Sequence, residues 1–153
     1  RRRTNLLTEC KMLEFPQAKG SVFLQDGLIH RTSKGLAVRS KSELLIAEAL
    51  HSHGIPFEYE KPLTIGGKTR YPDFTIEDDI SGRIIYWEHL GMLDRVDYRS
   101  SWEKKLKWYN GNGILPVATA NVGAPVLVTT EDSPELGLDM AVVTKIIREV
   151  CGG

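Results

Sequence analysis

The chain has 153 residues, which is enough for one domain with a substantial core and leaves little room for a second. Apolar residues make up 41% of it, an ordinary share for a soluble globular protein, and no apolar run approaches the roughly 20 residues of a membrane span. The two cysteines, Cys10 and Cys151, have no zinc-ligand spacing, so we expect reduced thiols and a cytoplasmic location.

The net charge is zero, but the charges are unevenly distributed along the chain. Residues 1–42 contain nine Lys or Arg against three Asp or Glu, whereas residues 43–99 contain six against eleven. A basic segment beside an acid-rich centre fits contacts with phosphates around a metal site. The alternative is that the basic residues merely solvate an irregular arm. Because the chain begins with Arg1 rather than Met, we also expect it to be a piece of a longer polypeptide; a processed chain is the alternative.

Turn residues and apolar periodicity predict the elements in chain order. Residues 1–38 are predicted as a basic N-terminal arm, with a small hairpin from Val22 to His30 around an Asp26-Gly27 turn. The elements predicted after the arm are a helix from Ser40 to about His53, strands at about 57–65, 69–77 and 83–90, a helix at about 97–109, a strand at 124–130 and a helix at 139–150. The step from the third strand to the fourth passes through a helix, so residues 39–153 are predicted as an α/β domain with a four-strand mixed sheet and helices on both faces.

Two predicted strands carry acidic residues that a hairpin would bring together. Asp73 follows Pro72 in the second strand and Glu88 lies in the third, and side chains on strands alternate between the two faces. Neighbouring carboxylates repel unless a cation lies between them, and oxygen ligands suit Mg²⁺ or Mn²⁺. Each acid also has an ordinary alternative, because Asp73 could follow Pro72 in a turn and Glu88 could face solvent at a strand end.

Two further charged residues lie on predicted helices. Glu43, on the first helix, is a third candidate acid, but its position three residues after Ser40 also fits a capping box. Lys105 lies on one face of the second helix together with Tyr98, Trp102, Leu106 and Tyr109. A lysine on this apolar stripe either points toward the sheet or extends its charge to the rim. Lys104 and Lys107 lie off the stripe.

The segments VRSKSE, IPFEYE, YPDF and YWEHLG, with the helix that carries Trp102, Lys105 and Trp108-Tyr109, resemble the PD-(D/E)XK nuclease superfamily. These segments look like those of nuclease-type domains attached to superfamily-1 DNA helicases. The resemblance covers about residues 39–130 and implies a restriction-endonuclease-like αβββαβ core. It also implies membership of a larger, helicase-type DNA-processing or repair protein.

The resemblance assigns roles to individual residues. Asp73 matches the Pro-Asp aspartate and Glu88 the third-strand acid, which ligate the metal in the family, and the backbone carbonyl of His89 would complete the set. Glu43 matches the acid on the first helix. The family's lysine should stand two residues after Glu88, where this chain has Leu90. Family members in which the lysine has moved to the second helix make Lys105 the predicted substitute.

The sequence therefore predicts a Mg²⁺- or Mn²⁺-dependent nuclease domain that hydrolyses DNA phosphodiester bonds. Its catalytic residues would be Glu43, Asp73, Glu88 and Lys105, and its contacts with the phosphate backbone would come from Arg31, Lys34, Arg39 and Lys41. Because Leu90 replaces the lysine, the alternative is an inactive nuclease-like domain that binds nucleic acid or docks its parent polypeptide. A nuclease directed at RNA is also left open.

Overall fold

The computed structural model describes residues 27–152. The hairpin predicted around Asp26-Gly27 lies largely outside this range, as do Cys10 and most of the basic arm. A hairpin that the sequence did not reveal follows directly: strand β1 (His30–Arg31) pairs antiparallel with strand β2 (Ala37–Val38). Val38 is fully buried in the main core, so the structured unit extends before residue 39, where the sequence placed the start of the domain.

The described residues contain three helices and eight further strands. The helices are α1 (Lys41–Ser52), α2 (Val96–Gly111) and α3 (Met140–Glu149). The strands are β3 (Glu58–Tyr59), β4 (Leu63–Ile65), β5 (Lys68–Arg70), β6 (Phe74–Glu77), β7 (Ile84–Leu90), β8 (Leu115–Pro116), β9 (Val126–Ser133) and β10 (Gly137–Leu138). The three predicted helices are therefore confirmed. None of them has the length and apolar character that a membrane crossing requires.

Side-chain caps explain where α1 and α3 begin. The Ser40 hydroxyl accepts a hydrogen bond from the Glu43 N–H, and the Asp139 carboxylate accepts one from the Ala141 N–H. Such caps satisfy N–H groups that have no partner within the helix. At the other end of α1, Gly54 adopts a φ of 67°, which residues with a side chain rarely adopt. This turn returns the chain to the sheet.

The main sheet is mixed, with the strand order β10-β9-β7-β6-β3 and β8 paired to β9. Strands β3, β6 and β7 are antiparallel neighbours, whereas β9 runs parallel to β7 because the connection crosses through α2. The four predicted strands correspond to the adjacent strands β9, β7, β6 and β3, of which β3 lies at the edge. The sheet has six strands rather than four because β8 and β10 add two residues each. A strand of two residues is too short to show an alternation of apolar and polar residues in the sequence.

Two of the predicted strands are each divided in the structure. The predicted strand at 57–65 breaks into β3 and β4 near Glu60, whose φ is 50°. The predicted strand at 69–77 breaks into β5 and β6 around Pro72, because proline has no N–H for a sheet ladder. As a result β4 and β5 form a separate two-stranded ribbon with Gly66 and Gly67 at its tip.

The helices cover both faces of the sheet, as the sequence predicted. On one face α1 and α3 bury Phe74, Ile76, Ile85 and Trp87. On the other face α2 packs through Tyr109 against Leu127 and Tyr86, and it also contacts the β4–β5 ribbon. Successive residues of β6 and β7 point to opposite faces, so the same strands that build the core on one side present Asp73 and Glu88 on the other.

Replacing Trp87 by Ala should lower the free energy of unfolding by about 3–5 kcal/mol, because the ring is fully buried and its indole N–H donates to Thr130. Trp102→Ala should cost clearly less, since the Trp102 side chain is only half-buried. Urea denaturation of both variants measures the difference. Equal losses would show that the face covered by α2 contributes as much core as the face covered by α1 and α3.

Candidate functional site

The pairing of β6 with β7 places Asp73 and Glu88 together. Phe74 is the partner of Trp87 in this antiparallel ladder, so extending the register by one residue places Asp73 opposite Glu88. Glu88 is buried, with 4% of its surface exposed, and Asp73 is half-buried. Residues that face each other in an antiparallel pair point to the same side of the sheet. The two carboxylates therefore lie on the face that α2 covers.

Each of the two carboxylates uses one oxygen for hydrogen bonds. Asp73 Oδ2 accepts from the His89 N–H at 2.6 Å, and Glu88 Oε1 accepts from the Tyr109 hydroxyl at 2.8 Å. Within residues 27–152, Asp73 Oδ1 and Glu88 Oε2 have no hydrogen-bond donor. The arrangement thus fixes both carboxylates and leaves one oxygen of each available.

Burial and mutual repulsion raise the pKa values of both acids. The pKa of Asp73 is raised well above its ordinary value by loss of hydration first, then by the charges of Glu88 and Glu43. Loss of hydration also raises the pKa of Glu88, and Lys105 opposes that rise. A group whose ionised form is disfavoured in this way gains from any cation that comes between the carboxylates. The electrostatics therefore fit a cation site.

The backbone carbonyl of His89 is the third predicted metal ligand. Pro72 lies opposite His89 and explains why this carbonyl receives no hydrogen bond from the neighbouring strand. The same register places Pro72 opposite His89, and a strand residue directs its N–H and C=O to the same side. The His89 N–H is taken by Asp73, so the carbonyl also points toward that edge. Proline has no N–H to pair with it. The imidazole lies on the opposite face with Thr130 and Asp132, consistent with the predicted packing of His89.

Lys105 reaches the acid pair from α2. Its Nζ lies 2.7 Å from Glu88 Oε1, and the side chain is 22% exposed. Lys104 and Lys107 are exposed instead, so the helical stripe is arranged as the spacing indicated. Leu90, where the sequence resemblance predicts a lysine, is buried, and its place two residues after Glu88 in β7 puts it on the same face. A helix-borne ammonium therefore lies beside the strand that lacks one.

Glu43 is buried, and its carboxylate has a different contact from the one that a capping box requires. Glu43 Oε1 accepts a hydrogen bond from the Tyr59 hydroxyl at 2.9 Å, while the Glu43 N–H donates to Ser40. Its charge is close enough to raise the pKa values of both Asp73 and Glu88. Glu43 therefore contributes negative potential to the site. Whether it has a catalytic function stays a prediction.

The donors present suit Mg²⁺ better than they suit a metal ion whose protein ligands are three or more side chains. Within residues 27–152, no three His, Cys, Asp or Glu side chains are grouped so that they could hold a metal ion. Mg²⁺ commonly binds through one or two carboxylates and keeps several waters or phosphate oxygens. Asp73, Glu88 and the His89 carbonyl supply that smaller set of hard oxygen donors. They do not form the all-nitrogen or thiolate site that zinc prefers.

The four predicted phosphate contacts divide into two kinds. Arg31, Lys34 and Lys41 are exposed and have no ion pair within the described residues, so they are free to meet phosphates. Arg39 differs, because its Nε and Nη2 donate to both carboxylate oxygens of Glu60. Arg39 is therefore paired with a buried acid, and its contact with phosphates stays a prediction.

Two tyrosines that the sequence analysis did not assign to the site complete it. Tyr109 donates to Glu88 and Tyr59 donates to Glu43. Tyr109 lies four residues after Lys105 on the predicted stripe, so the helical spacing that directs Lys105 toward the sheet also directs Tyr109 there. No comparable signal existed for Tyr59, because its contact depends on how β3 packs against α1.

Comparison with models of known protein families found no match, and no solved structure matches the chain. The chain is 37% identical over 113 residues to the uncharacterized protein MJ1519 of Methanocaldococcus jannaschii. This match covers 66% of the chain and 9% of that protein, so the chain spans less than a tenth of its relative's length. The likeness assigns neither a family nor an activity.

Replacing Asp73 by Asn should stabilise the metal-free protein at neutral pH, because it removes one of two facing carboxylates. The folded-state pKa of Asp73 lies above its unfolded value. Between those two values the folded protein binds more protons than the unfolded chain, so stability falls as pH rises through that window. Asp73→Asn should flatten the fall. Urea denaturation in EDTA from about pH 4 to about pH 8 measures both effects.

Asp79→Asn is the matched control, since Asp79 is exposed in the turn between β6 and β7. It should leave the pH dependence as it is in the parent. If Asp73→Asn instead destabilised the protein at every pH, the hydrogen bond to the His89 N–H would outweigh the repulsion, and Asp73 would be a structural residue.

Replacing Arg39 by Ala should lower the free energy of unfolding by about 2 kcal/mol, because it leaves the Glu60 carboxylate buried without its cation. The loss is below that of a fully buried pair, since 24% of the Arg39 side chain is exposed. Lys41→Ala, at an exposed neighbouring site, should change stability little. Thermal and urea unfolding compare the two, and equal effects would contradict the structural assignment of Arg39.

Proposed function

We propose that this chain contains a metal-dependent nuclease domain of the restriction-endonuclease-like type that hydrolyses DNA phosphodiester bonds. The observation that carries the proposal is the facing pair of Asp73 and Glu88, each with one free oxygen, on adjacent antiparallel strands. The order of the main elements in residues 39–130 supports it: α1 is followed by β3, β6 and β7 of the main sheet, then by α2 and β9, with the β4–β5 ribbon and the short β8 as additions.

The chain's own residues would hold the ion and orient the reaction. Asp73 Oδ1, Glu88 Oε2 and the His89 carbonyl are the donors available to Mg²⁺ or Mn²⁺. A bound ion would lower the pKa of a water molecule and neutralise charge on the phosphoryl group. The hydrogen bonds from the His89 N–H and the Tyr109 hydroxyl fix the other two carboxylate oxygens, so the free oxygens need little reorganisation.

Lys105 would supply the positive charge that β7 lacks, since β7 has Leu90 where the resemblance predicts a lysine. Its ammonium now bonds to Glu88, on the same face as the free carboxylate oxygens. From this position it could donate to a phosphoryl oxygen whose negative charge grows as the bond breaks. Glu43, held by Tyr59, adds negative potential beside the pair and so favours retention of a cation.

A second candidate function is a nuclease-like domain without activity that binds nucleic acid or docks its parent polypeptide. The observation that favours it is the Lys105–Glu88 ion pair, since an internal cation can balance one of the two acids without a metal. The presence of Leu90 at the position of the family's lysine also supports this candidate. Asp73 argues for the nuclease, because its pKa stays well above the ordinary value although the charge of Lys105 lowers it.

DNA and the remainder of a larger polypeptide are the proposed partners. The exposed Arg31, Lys34 and Lys41 supply positive charge near the start of α1. The small share of the Methanocaldococcus relative that the chain spans is compatible with a domain of a longer protein. The sequence resemblance alone supports a helicase-type protein as this longer polypeptide.

Metal binding and cleavage can be tested separately on the same variants. Calorimetric titration with Mn²⁺ should detect binding to the parent, and Asp73→Asn should weaken it at least about tenfold, since one of two carboxylate ligands is lost. Nicking of supercoiled DNA and digestion of linear single- and double-stranded DNA follow activity. Metal binding without cleavage of any DNA form would favour the inactive domain.

Lys105→Ala should reduce cleavage by about 10²–10³-fold, the usual effect of removing one charge-stabilising donor. Metal affinity should stay the same or rise, because a competing cation leaves Glu88. Lys107→Ala, an exposed lysine on the same helix, is the control and should behave like the parent. Equal cleavage by Lys105→Ala and the parent would remove Lys105 from the mechanism.

A further inference from the structure

The β4–β5 ribbon lies on the face of the molecule that holds the acid pair. It is hydrogen-bonded only within itself among the described strands, and it attaches to the domain by packing. Leu63 and Ile65 pack against the buried cluster of Tyr109, Ile114 and Leu127, and so do Trp102, Leu106 and Trp108 of α2. Since α2 also delivers Lys105 and Tyr109 to Glu88, the ribbon and the site share one supporting helix.

The ribbon carries positive charge without compensating acids. Residues 61–70 contain three Lys or Arg and no Asp or Glu. Lys61 pairs with Glu58, whereas Lys68 is exposed and has no ion pair within residues 27–152. Lys68 is the cross-strand partner of Ile65, and Arg70 is the partner of Leu63, so both basic residues lie on the ribbon face that packs toward α2.

Arg70 and a lysine of α2 extend the positively charged surface of the ribbon. The Arg70 guanidinium lies over the Trp108 ring, 5.9 Å from its centroid, and its buried Nε has no hydrogen-bond partner in the described structure. Lys104 is exposed and lies one helical turn before Trp108, so it borders the same ring. Within residues 27–152 it has no ion pair. We call Lys68, Arg70 and Lys104 the basic flank.

The basic flank adjoins the catalytic side of α2. Lys104 and Lys105 are consecutive, and the helix directs the first to the surface beside Trp108 and the second to Glu88. A polyanion that lies along the basic flank would therefore contact the same helix that places Lys105 at Glu88. Without such a surface, the negative potential of Glu43, Asp73 and Glu88 would repel a phosphate backbone.

We propose that the basic flank binds the phosphate backbone of DNA and delivers a phosphodiester to the acid pair, an inference that rests on the proposed nuclease function. Lys68 and Lys104, which are exposed and have no ion pair within residues 27–152, fit a phosphate backbone. The Trp108 ring holds the Arg70 guanidinium in place while its outer donors stay available. The chain would thus have a phosphate-binding surface on the ribbon and α2, separate from Arg31, Lys34 and Lys41.

The test measures DNA binding by fluorescence anisotropy in EDTA, where metal-dependent cleavage cannot interfere. The salt dependence is followed from about 50 to about 200 mM KCl with labelled duplex DNA, single-stranded DNA and RNA of one sequence. The double variant Lys68→Ala with Lys104→Ala should bind more weakly. On duplex DNA its slope of log K against log salt should be shallower by about 1.8, since each lost contact removes about 0.9.

The matched control is Lys145→Ala with Arg148→Ala, which removes the same charge from exposed positions on α3 across the sheet. It should leave the slope as in the parent. Equal slopes for the two double variants would overturn the proposal, because net charge alone would then explain binding. Absence of binding by the parent, or tighter binding to RNA than to either DNA, would also overturn it.

Failure of the nuclease proposal would be distinguishable. If the parent cleaves no DNA but Lys68→Ala with Lys104→Ala flattens the salt slope, the result supports DNA binding by the basic flank and contradicts the nuclease proposal. If the parent cleaves DNA and the double variant leaves the slope unchanged, the result supports the nuclease proposal and contradicts DNA binding by the basic flank. Circular dichroism and thermal unfolding of each variant check that the fold is retained.

Discussion

The register between β6 and β7 is the constraint on which both the core and the candidate site depend. With Phe74 opposite Trp87, both aromatic rings enter the core under α1 and α3, and the next facing pair, Asp73 and Glu88, points to α2. A slip of one residue would exchange the two faces. The buried aromatic rings therefore hold the carboxylates together against their repulsion. The stability of one face maintains the unfavourable electrostatics of the other.

The position of Lys105 follows from the geometry of this face. A lysine at position 90 would leave the strand on the same side as Glu88, two residues along. The α2 helix covers that side, so a lysine on its inward stripe reaches the same space from the opposite wall. Leu90 itself is buried, with 4% of its surface exposed. A strand position and a helix position can thus supply one charge, although they are far apart in sequence.

The sequence predicted the three helices, the central strands and the face shared by Asp73 and Glu88, because these features depend on local periodicity and alternation. It did not predict the ribbon formed by β4 and β5, since the breaks at Glu60 and Pro72 interrupt patterns that otherwise look continuous. The pairing of Arg39 with Glu60 and of Tyr59 with Glu43 was likewise out of reach. Those contacts join residues from separate elements, and only the packed fold brings them together.

Pro72 connects the ribbon to the site. Its missing N–H interrupts the ladder, which ends β5 and separates the ribbon from the main sheet. The same interruption leaves the His89 N–H and C=O without a regular strand partner. The Asp73 carboxylate takes the N–H, and this bond fixes one of its oxygens while the other stays free. The His89 carbonyl points to the same edge as its N–H. One proline therefore accounts for both the separate ribbon and the free N–H that fixes the Asp73 carboxylate, so two features of this face arise from the same break in the sheet.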